Sequence, residues 1–486
     1  MIKQNRTKIV ATIGPASASE KVLRSLVEAG MDVARFNFSH GEYDLFEGWL
    51  KILRAISVEK NQPIAVLQDL QGPRIRVGGD LPKEGVTLKD GEVVGIGYGA
   101  YRVGFVPIDY PGLLKDIGVG SRILLVDGLI ELQVVSVSKT EAQAKVVIGG
   151  DIFPHKGVNI PNGNLSISAL TEKDKKDLQW GLKNGVDYIA LSFVRKAEDI
   201  KELKELIKKY KPGSPVRIIA KIEMHEAVDN ILSILREVDG IMVARGDLGI
   251  EMPAEDVPVV QKKLILAAIE HGKPVITATQ MMESMMENPR PTRAEVSDVA
   301  NAVLDGTDAV MLSGETAGGQ YPVEVVQMMT KIITKVEKEI FRPKSHGFEN
   351  FTRKDLEDLR HGESRVTSAD VLGASVEMVA AEMEARHIVV ATHSGYSARM
   401  VAKDRPKTNI IALSPDEIVV RQLALVWGVR SYYLPFFSST DELMAGIVAW
   451  LKTHKLAKKK EIVAIVTAHP LNTKDHNNLI KVQEIS

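Results

Sequence analysis

Along most of the chain, short runs of apolar and β-branched residues alternate with longer stretches in which apolar positions recur at helical spacing, with Gly, Pro or Asn between them. The first pattern predicts buried strands and the second amphipathic helices. Strands are expected at Lys8–Ile13, Asp32–Phe38, Ile64–Asp69, Asp187–Phe193, Arg217–Ile222, Gly240–Ala244, Pro274–Ala278 and Asp308–Leu312. Thr171 with Asp174 and Thr292 with Glu295 have the spacing of capping boxes, and Gly30, Gly185 and Gly272 stand where helices should stop. Eight parallel strands joined by right-handed helical crossovers close most naturally into a (β/α)8 barrel.

The rhythm breaks between about Val77 and Gly157, where residues alternate with period two, as in Leu129–Val134 and Ala144–Ile148, around turns at Asp90-Gly91 and Asp127-Gly128. A small β-barrel or sandwich inserted after the third strand is expected, placed to act as a lid. Arg342–Arg365 is charged, rich in His and Gly and without a sustained apolar face, which reads as a linker. Beyond it, strands at His387–Ala391, Asn409–Leu413, Arg430–Leu434 and Glu461–Val466 alternate with amphipathic helices, as in an open doubly wound sheet. The expected class is therefore α/β: a (β/α)8 TIM barrel (1–76 and 158–341), a small β-barrel lid domain (77–157), a linker (342–365) and a C-terminal open α/β sheet domain (366–486).

Composition narrows what such a fold can do. With 486 residues, several cores are needed, and 44% hydrophobic with 26% charged residues is a globular balance. Lys and Arg number 62 against 63 Asp and Glu, so no global surplus of positive charge points to nucleic acid. The Lys-rich Lys452–Lys460 reads as a solvated helix end. There is no cysteine, which excludes disulfides, thiolate metal sites and cysteine nucleophiles. The polar start Met1–Arg6 is unlike a signal peptide and no apolar run is long enough to span a bilayer, so a cytoplasmic address and no membrane partner are expected.

In a barrel of this kind, chemistry gathers at the carboxyl ends of the strands. Those ends are polar throughout: Thr12, Arg35 to Gly41, Asp69 to Arg76, Ser192 to Arg195, Lys221 to Glu223, Arg245 to Asp247, Thr277 to Gln280 and Ser313 to Thr316. Lys221 and Glu223 are two apart on a strand and leave on one face, with Asp247 one strand over. Two carboxylates without other ligands suit Mg2+ or Mn2+, and the Lys could neutralise charge on a group in transfer. Ala244-Arg245-Gly246 offers backbone N–H groups to a short carboxylate, and Arg35, His40, Arg76 and Lys156 supply charge for a polyphosphate. Singly, each of these reads as well as a surface ion pair, a helix cap or a plain Gly-rich turn; the trio at adjacent strand ends is what favours catalysis.

The runs Thr7–Pro15, Arg35–Gly41, Ile219–Glu223, Ile241–Gly249 and Pro289–Glu295, in this order, resemble the pyruvate kinase family over nearly the whole chain. The resemblance implies phosphoryl transfer from phosphoenolpyruvate to ADP, giving pyruvate and ATP in glycolysis. Glu223 and Asp247 would hold the divalent cation, Lys221 would lie over the phosphoryl group, Arg35 would bind phosphate, and Thr279 would aid proton delivery to enolpyruvate. Ala244, Arg245, Gly246, Asp247 and Ser313 complete the implied substrate pocket. Thr12, Asn37, His40, Arg76 and Lys156 match the nucleotide side. Asp127 lies where members contact the metal–nucleotide complex when the lid closes; without the family it is a turn residue. A regulatory C-terminal domain and a homotetramer are also implied.

Two departures carry information. K+-dependent members read Asp-Thr-Lys-Gly-Pro-Glu-Ile-Arg-Thr where this chain reads Asp69-Leu70-Gln71-Gly72-Pro73-Arg74-Ile75-Arg76-Val77. Leu70, Gln71 and Val77 resemble members that need no monovalent ion, although those usually carry Lys where Arg74 stands. Arg74 could serve as a substitute cation, so K+-independent catalysis is expected even though Asn37, Ser39, Asp69 and Leu70 remain as a monovalent-ion site. In the last domain Thr392, Ser394, Gly395 and Ser397 resemble the family's effector-phosphate loop, but Tyr396 replaces the usual Arg or Thr, and Thr467–Asn472 lacks the Trp-Arg-Pro-Gly loop used for fructose 1,6-bisphosphate. A sugar or nucleotide monophosphate effector, or none, is expected. The rival readings are a metal-dependent aldolase or lyase acting on pyruvate-like acids and a catalytically inactive phosphometabolite sensor.

Overall fold

The computed structural model describes residues 5–161, 163, 166–341, 368–468, 471 and 478–486. The expected linker at 342–365, and His469, Pro470 and Asn472, lie outside the described residues. In chain order the strands are β1 (Lys8–Ile13), β2 (Val33–Asn37) and β3 (Ala65–Asp69), then β4 (Val86–Leu88), β5 (Val93–Gly97), β6 (Phe105–Pro107), β7 (Arg122–Leu125), β8 (Ile130–Val137), β9 (Ala142–Ile148), β10 (Gly150–Ile152) and β11 (Val158–Asn159). The chain then returns to β12 (Tyr188–Leu191), β13 (Arg217–Ile222), β14 (Gly240–Ala244), β15 (Val275–Ala278) and β16 (Ala309–Leu312). It ends with β17 (His387–Ala391), β18 (Asn409–Ser414), β19 (Val429–Tyr433), β20 (Ile462–Thr467) and β21 (Leu479–Glu484).

Strands β1–β3 and β12–β16, the eight expected ones, form a closed parallel barrel with β16 back against β1. Period two decides what fills it. Ile9, Ala11, Ile218, Ala220 and Ile222 face out and pack under the helices, while Val10, Val33, Leu67, Tyr188, Ile219, Met242, Ile276 and Met311 face in and form a dry interior. Two residues beyond Val10, Val33, Leu67, Ala190, Ile219 and Met311 stand Thr12, Arg35, Asp69, Ser192, Lys221 and Ser313, whereas Met242 and Ile276 are followed by Ala244 and Ala278, so six of the eight strands turn polar at the rim. Both capping boxes form, at Thr171 with Asp174 and Thr292 with Glu295, and fix where the helices Glu172–Asn184 and Arg293–Leu304 begin. Gly181 lets the first of these ride on β3: a Cβ there would lie 1.9 Å from Gln68 Oε1.

Strands β4–β11 form the insertion, a six-stranded sheet in the order β11-β7-β8-β9-β5-β6 with the pair β4-β10, wrapped on one apolar core that includes Leu88, Ile96, Leu132, Val146 and Ile152. Asp127 and Gly128 both take positive φ in its turn, as the Asp-Gly spacing predicts. The last sheet has the order β19-β18-β17-β20-β21. Four of its strands are the expected ones; β21 adds an antiparallel edge that the apolar pattern does not announce, since its residues are largely exposed.

The C-terminal unit closes the floor of the barrel. Ala424 and Leu425, from the short turn after helix Glu417–Gln422, join the barrel's interior core, and Leu425 is fully buried. Polar bonds hold this plug. Tyr188 donates its hydroxyl to the Gln422 carbonyl (2.6 Å), Lys8 Nζ donates to Val429 O (2.7 Å), Arg217 Nε donates to Gln422 Oε1 (2.7 Å), and Arg421 and Arg405 pair with Asp187 and Asp308 (2.8 and 3.1 Å). Among the described residues no helix is long and apolar enough to cross a membrane.

The plug makes the barrel's stability depend on the C-terminal unit. Leu425→Ala should cost about 2–5 kcal/mol, read as an earlier urea transition; an unchanged transition would mean the floor does not need the plug.

Candidate active site

A chain of buried charge crosses the rim. Arg35 on β2 grips Asp69 on β3 through Nη2 (2.6 Å) and Nε (2.7 Å), and its Nη1 donates to Thr12 Oγ1 (2.9 Å). From β13, Lys221 Nζ reaches across the mouth to Asp69 Oδ1 (3.3 Å) and meets Glu223 Oε1 (2.8 Å) and Ser192 Oγ (2.7 Å). Asp69 and Glu223 are each 1% exposed. Burial works against the Lys221 ammonium, but the carboxylates of Asp69 and Glu223 outweigh it and raise the pKa above the ordinary lysine value. Burial likewise opposes ionisation of Asp69, and Lys221 and Arg35 reverse that, holding its pKa below the usual carboxylate range. Both groups are therefore charged.

Glu223 behaves differently. Burial raises its pKa, Lys221 opposes the rise, and the negative charge of Asp247 adds to it. Its other oxygen accepts the N–H of Phe193 at 2.7 Å, and Phe193 sits at φ +54° to offer it, a conformation costing about 1–3 kcal/mol in a non-glycine residue. Asp247 lies in the first turn of helix Arg245–Glu251, directly after β14, and is half-buried. Two carboxylates thus converge where one resists ionisation, first through burial and then through the charge of the other. Among the described residues no group of three or more His, Asp or Glu is placed to hold a metal, so a cation here would take two protein side chains and keep positions for water and substrate oxygens. That donor set fits a hard divalent ion.

The neighbouring cradle is fixed by a second network. Arg245 forks onto Asp298 (2.7 and 2.8 Å) and donates to the carbonyls of Ala278 (3.2 Å) and Thr279 (2.6 Å). Its guanidinium is thereby held away from the mouth, so what the Ala244, Arg245, Gly246 segment can offer a ligand is backbone. Gly246 N–H donates to Thr279 Oγ1 at 2.8 Å, leaving the Thr279 proton to be donated elsewhere. Thr279 stands at φ +70° and Gln280 at +52°, strain concentrated beside the mouth. Ser313 is half-buried and its N–H is taken by Glu315 (2.7 Å).

The remaining expected residues lie around this centre. Asn37 Oδ1 accepts the Ser39 N–H (3.1 Å), the Leu70 carbonyl accepts the Ser192 hydroxyl (2.7 Å), and His40 is exposed. Arg76 and Lys156 sit where the two chain crossings into the lid meet: Arg76 Nη1 donates to His155 O (3.1 Å) and Val77 N–H to Lys156 O (2.8 Å). Arg74, on the first crossing, is exposed and makes no hydrogen bond or ion pair among the described residues. The inserted β-sheet, through β11, leans on the helix that carries Asp247. Asn159 Nδ2 donates to Glu251 Oε1 (3.3 Å), and a Cβ on Gly128, beside the exposed Asp127, would lie 3.7 Å from Ile250. Far from the rim, Thr392 Oγ1 accepts the Gly395 N–H (3.0 Å) in a tight loop closed by Gly395 at φ +74°; Ser394 is exposed, Ser397 buried. The Ser394 carbonyl accepts from Arg217, at the start of the strand that ends in Lys221.

Residues 4–326 match the family described as pyruvate kinase, barrel domain, and residues 370–483 that described as pyruvate kinase, alpha/beta domain. The chain belongs to the pyruvate kinase family. It is 44% identical to pyruvate kinase 2 of Synechocystis sp. over 99% of its length and 79% of that protein's. It is equally identical to the pyruvate kinase of Geobacillus stearothermophilus (99% and 81% covered), and 41% identical to that of Clostridium acetobutylicum (99% of both). In three dimensions it superposes on a pyruvate kinase from Cryptosporidium parvum with a TM-score of 0.89, at 33% identity, covering 99% and 97% of the two chains. Pyruvate kinases are phosphotransferases, and so is this chain.

Two rim residues carry no assigned role in the sequence: Ser192, which stands among the polar strand ends, and Glu251. Ser192 is two residues beyond the inward-facing Ala190, so the alternation that placed Lys221 also placed it, but a lone Ser carries no signal of its own. Glu251, in contact with the lid, looks like any helix-end glutamate. Burial pushes it up to about 7, the bond from Asn159 opposes this, and Glu226 and Asp247 add to it.

A carboxyl whose pKa is raised on folding keeps its proton while the unfolded chain releases it, so stability falls as pH climbs from about 4.5 to about 7 and stays lower above. Glu251→Gln should therefore raise the thermal midpoint at pH 8 and leave it unchanged at pH 4.5; an equal shift at both would contradict the protonated state.

Proposed function

We propose that this chain transfers the phosphoryl group of phosphoenolpyruvate to ADP, giving pyruvate and ATP in glycolysis. One observation carries the reading: a charged ammonium, Lys221, is held beside the converging carboxylates Glu223 and Asp247 at the mouth of a closed barrel. In-line phosphoryl transfer needs positioning and charge neutralisation more than covalent chemistry. Lys221 neutralises the phosphoryl group in flight, and Arg35, locked by Asp69 and Thr12, binds its oxygens. Glu223 and Asp247 would hold Mg2+ or Mn2+, which would supply Lewis-acid stabilisation of developing negative charge. The Ala244, Arg245 and Gly246 segment receives the substrate carboxylate, the Gly246 N–H exchanging Thr279 Oγ1 for it, with Ser313 on the far wall. Thr279, whose hydroxyl proton is not used by Gly246, is placed to help protonate enolpyruvate.

Thr12, Asn37, His40, Arg76 and Lys156 take the nucleotide, and the lid, 77–157, closes over it with Asp127 toward the metal–nucleotide complex, excluding water. The barrel domain is 1–76 with 158–341, and 366–486 is the regulatory unit joined by 342–365. Its loop at Thr392, Ser394, Gly395 and Ser397 takes a sugar or nucleotide monophosphate, or no effector. Family likeness supports a cytoplasmic homotetramer, which the mass in solution checks. Catalysis is independent of K+: Arg74 has no partner among the described residues and can bring its charge toward the Asn37, Ser39, Asp69, Leu70 side of the mouth.

Initial rates with phosphoenolpyruvate, ADP and Mg2+ test the reading. Pyruvate should form only when ADP is present, and Lys221→Met should lower kcat at least about a thousandfold; pyruvate released without ADP would favour a lyase, and an unimpaired Lys221→Met would overturn the assignment. In the same assay turnover should not change when KCl is added to potassium-free buffer, and micromolar fructose 1,6-bisphosphate should not activate; strong activation by either contradicts that part.

A further inference from the structure

Three oxygens surround the Lys221 ammonium: Ser192 Oγ accepts a hydrogen bond from it at 2.7 Å, and Glu223 Oε1 at 2.8 Å and Asp69 Oδ1 at 3.3 Å are its ion-pair partners. A phosphoryl oxygen approaching Lys221 competes with these three, so the question is which partners yield and which keep the ammonium in place. Asp69 makes the longest contact, and its other oxygen is gripped twice by Arg35. Glu223 is the carboxylate crowded by Asp247 and the one a dication would draw on. Ser192 is the one uncharged partner of the three. It is 1% exposed, and its hydroxyl proton is committed to the Leu70 carbonyl at 2.7 Å, which turns its lone pairs to Lys221. Its strand is tied to the same segment by the bond from Leu70 N–H to the Ala190 carbonyl (3.0 Å). A neutral acceptor also leaves the ammonium's positive field intact, where a carboxylate cancels it.

We propose that Ser192 is a positioning residue for phosphoryl transfer, the fixed pivot that keeps the Lys221 ammonium on the path of the transferring group when its carboxylate partners are drawn away. This rests on Lys221 being the cation of the reaction, so the test is a double-mutant cycle that separates the two claims. Ser192→Ala should lower kcat by about tenfold to a hundredfold, as for one hydrogen bond to a charged group, with KM for phosphoenolpyruvate and ADP unchanged and the thermal midpoint preserved. Ser192→Thr, which keeps the hydroxyl, should recover most of the loss. Added to Lys221→Met, Ser192→Ala should cost nothing more. Wild-type kcat in Ser192→Ala, a folded Ser192→Thr as slow as Ser192→Ala, or a double variant slower than Lys221→Met by the full Ser192→Ala factor would each overturn the role. If Ser192→Ala melts early, the comparison is made at a temperature where circular dichroism shows it folded. A fully active Lys221→Met overturns the Lys221 assignment itself, whatever Ser192 does.

Discussion

Charge buried at the mouth of a closed barrel is the constraint from which the rest follows. An ion withdrawn from water is tolerated only when it is paired and hydrogen-bonded, and removing one partner of such a pair strands the other. Arg35, Asp69, Lys221 and Glu223 meet that condition by spanning β2, β3 and β13 in one connected chain. With every carboxylate ionised, the two cations Arg35 and Lys221 face three anions, Asp69, Glu223 and Asp247, leaving one negative charge. Burial resists that state at Glu223, and a dication would relieve it while turning the mouth positive for phosphate. The same arrangement that makes the rim costly without a ligand makes it selective for an anion bound with metal.

Holding such a chain in register is the work of the fold. Each rim residue continues an inward apolar series, so Lys221 follows Ile219 and Asp69 follows Leu67, and any slip would put the charges against helices. Beneath, Ala424 and Leu425 seal the floor, and the C-terminal loop touches β13 through Arg217 and Ser394. Above, the lid rests through Asn159 on the helix bearing Asp247. β13 thus meets the C-terminal unit at its first residue, Arg217, and the rim of the barrel at Lys221.

Much of this is legible in the residues because period two and strand count are local properties. The shared face of Lys221 and Glu223 needs only their spacing. What local pattern cannot carry is which strand ends face each other once the barrel closes: that Asp69 answers both Arg35 and Lys221, that Ser192 completes the lysine's shell, and that Arg245 turns to Asp298 instead of the mouth. Leu425 reads as one more apolar residue of a C-terminal helix, and only the assembled chain reveals that it fills another unit's core. β21 is missed for the opposite reason, since an exposed edge strand has little apolar signature to read.

The most direct measurement is the anomalous difference density of crystals grown with Mn2+ in place of Mg2+. One strong peak is expected, about 2 Å from an oxygen of Glu223 and an oxygen of Asp247, with the Lys221 ammonium alongside. A peak elsewhere, or one held by neither carboxylate, would contradict the claim that this rim exists to hold a divalent cation against a phosphoryl group.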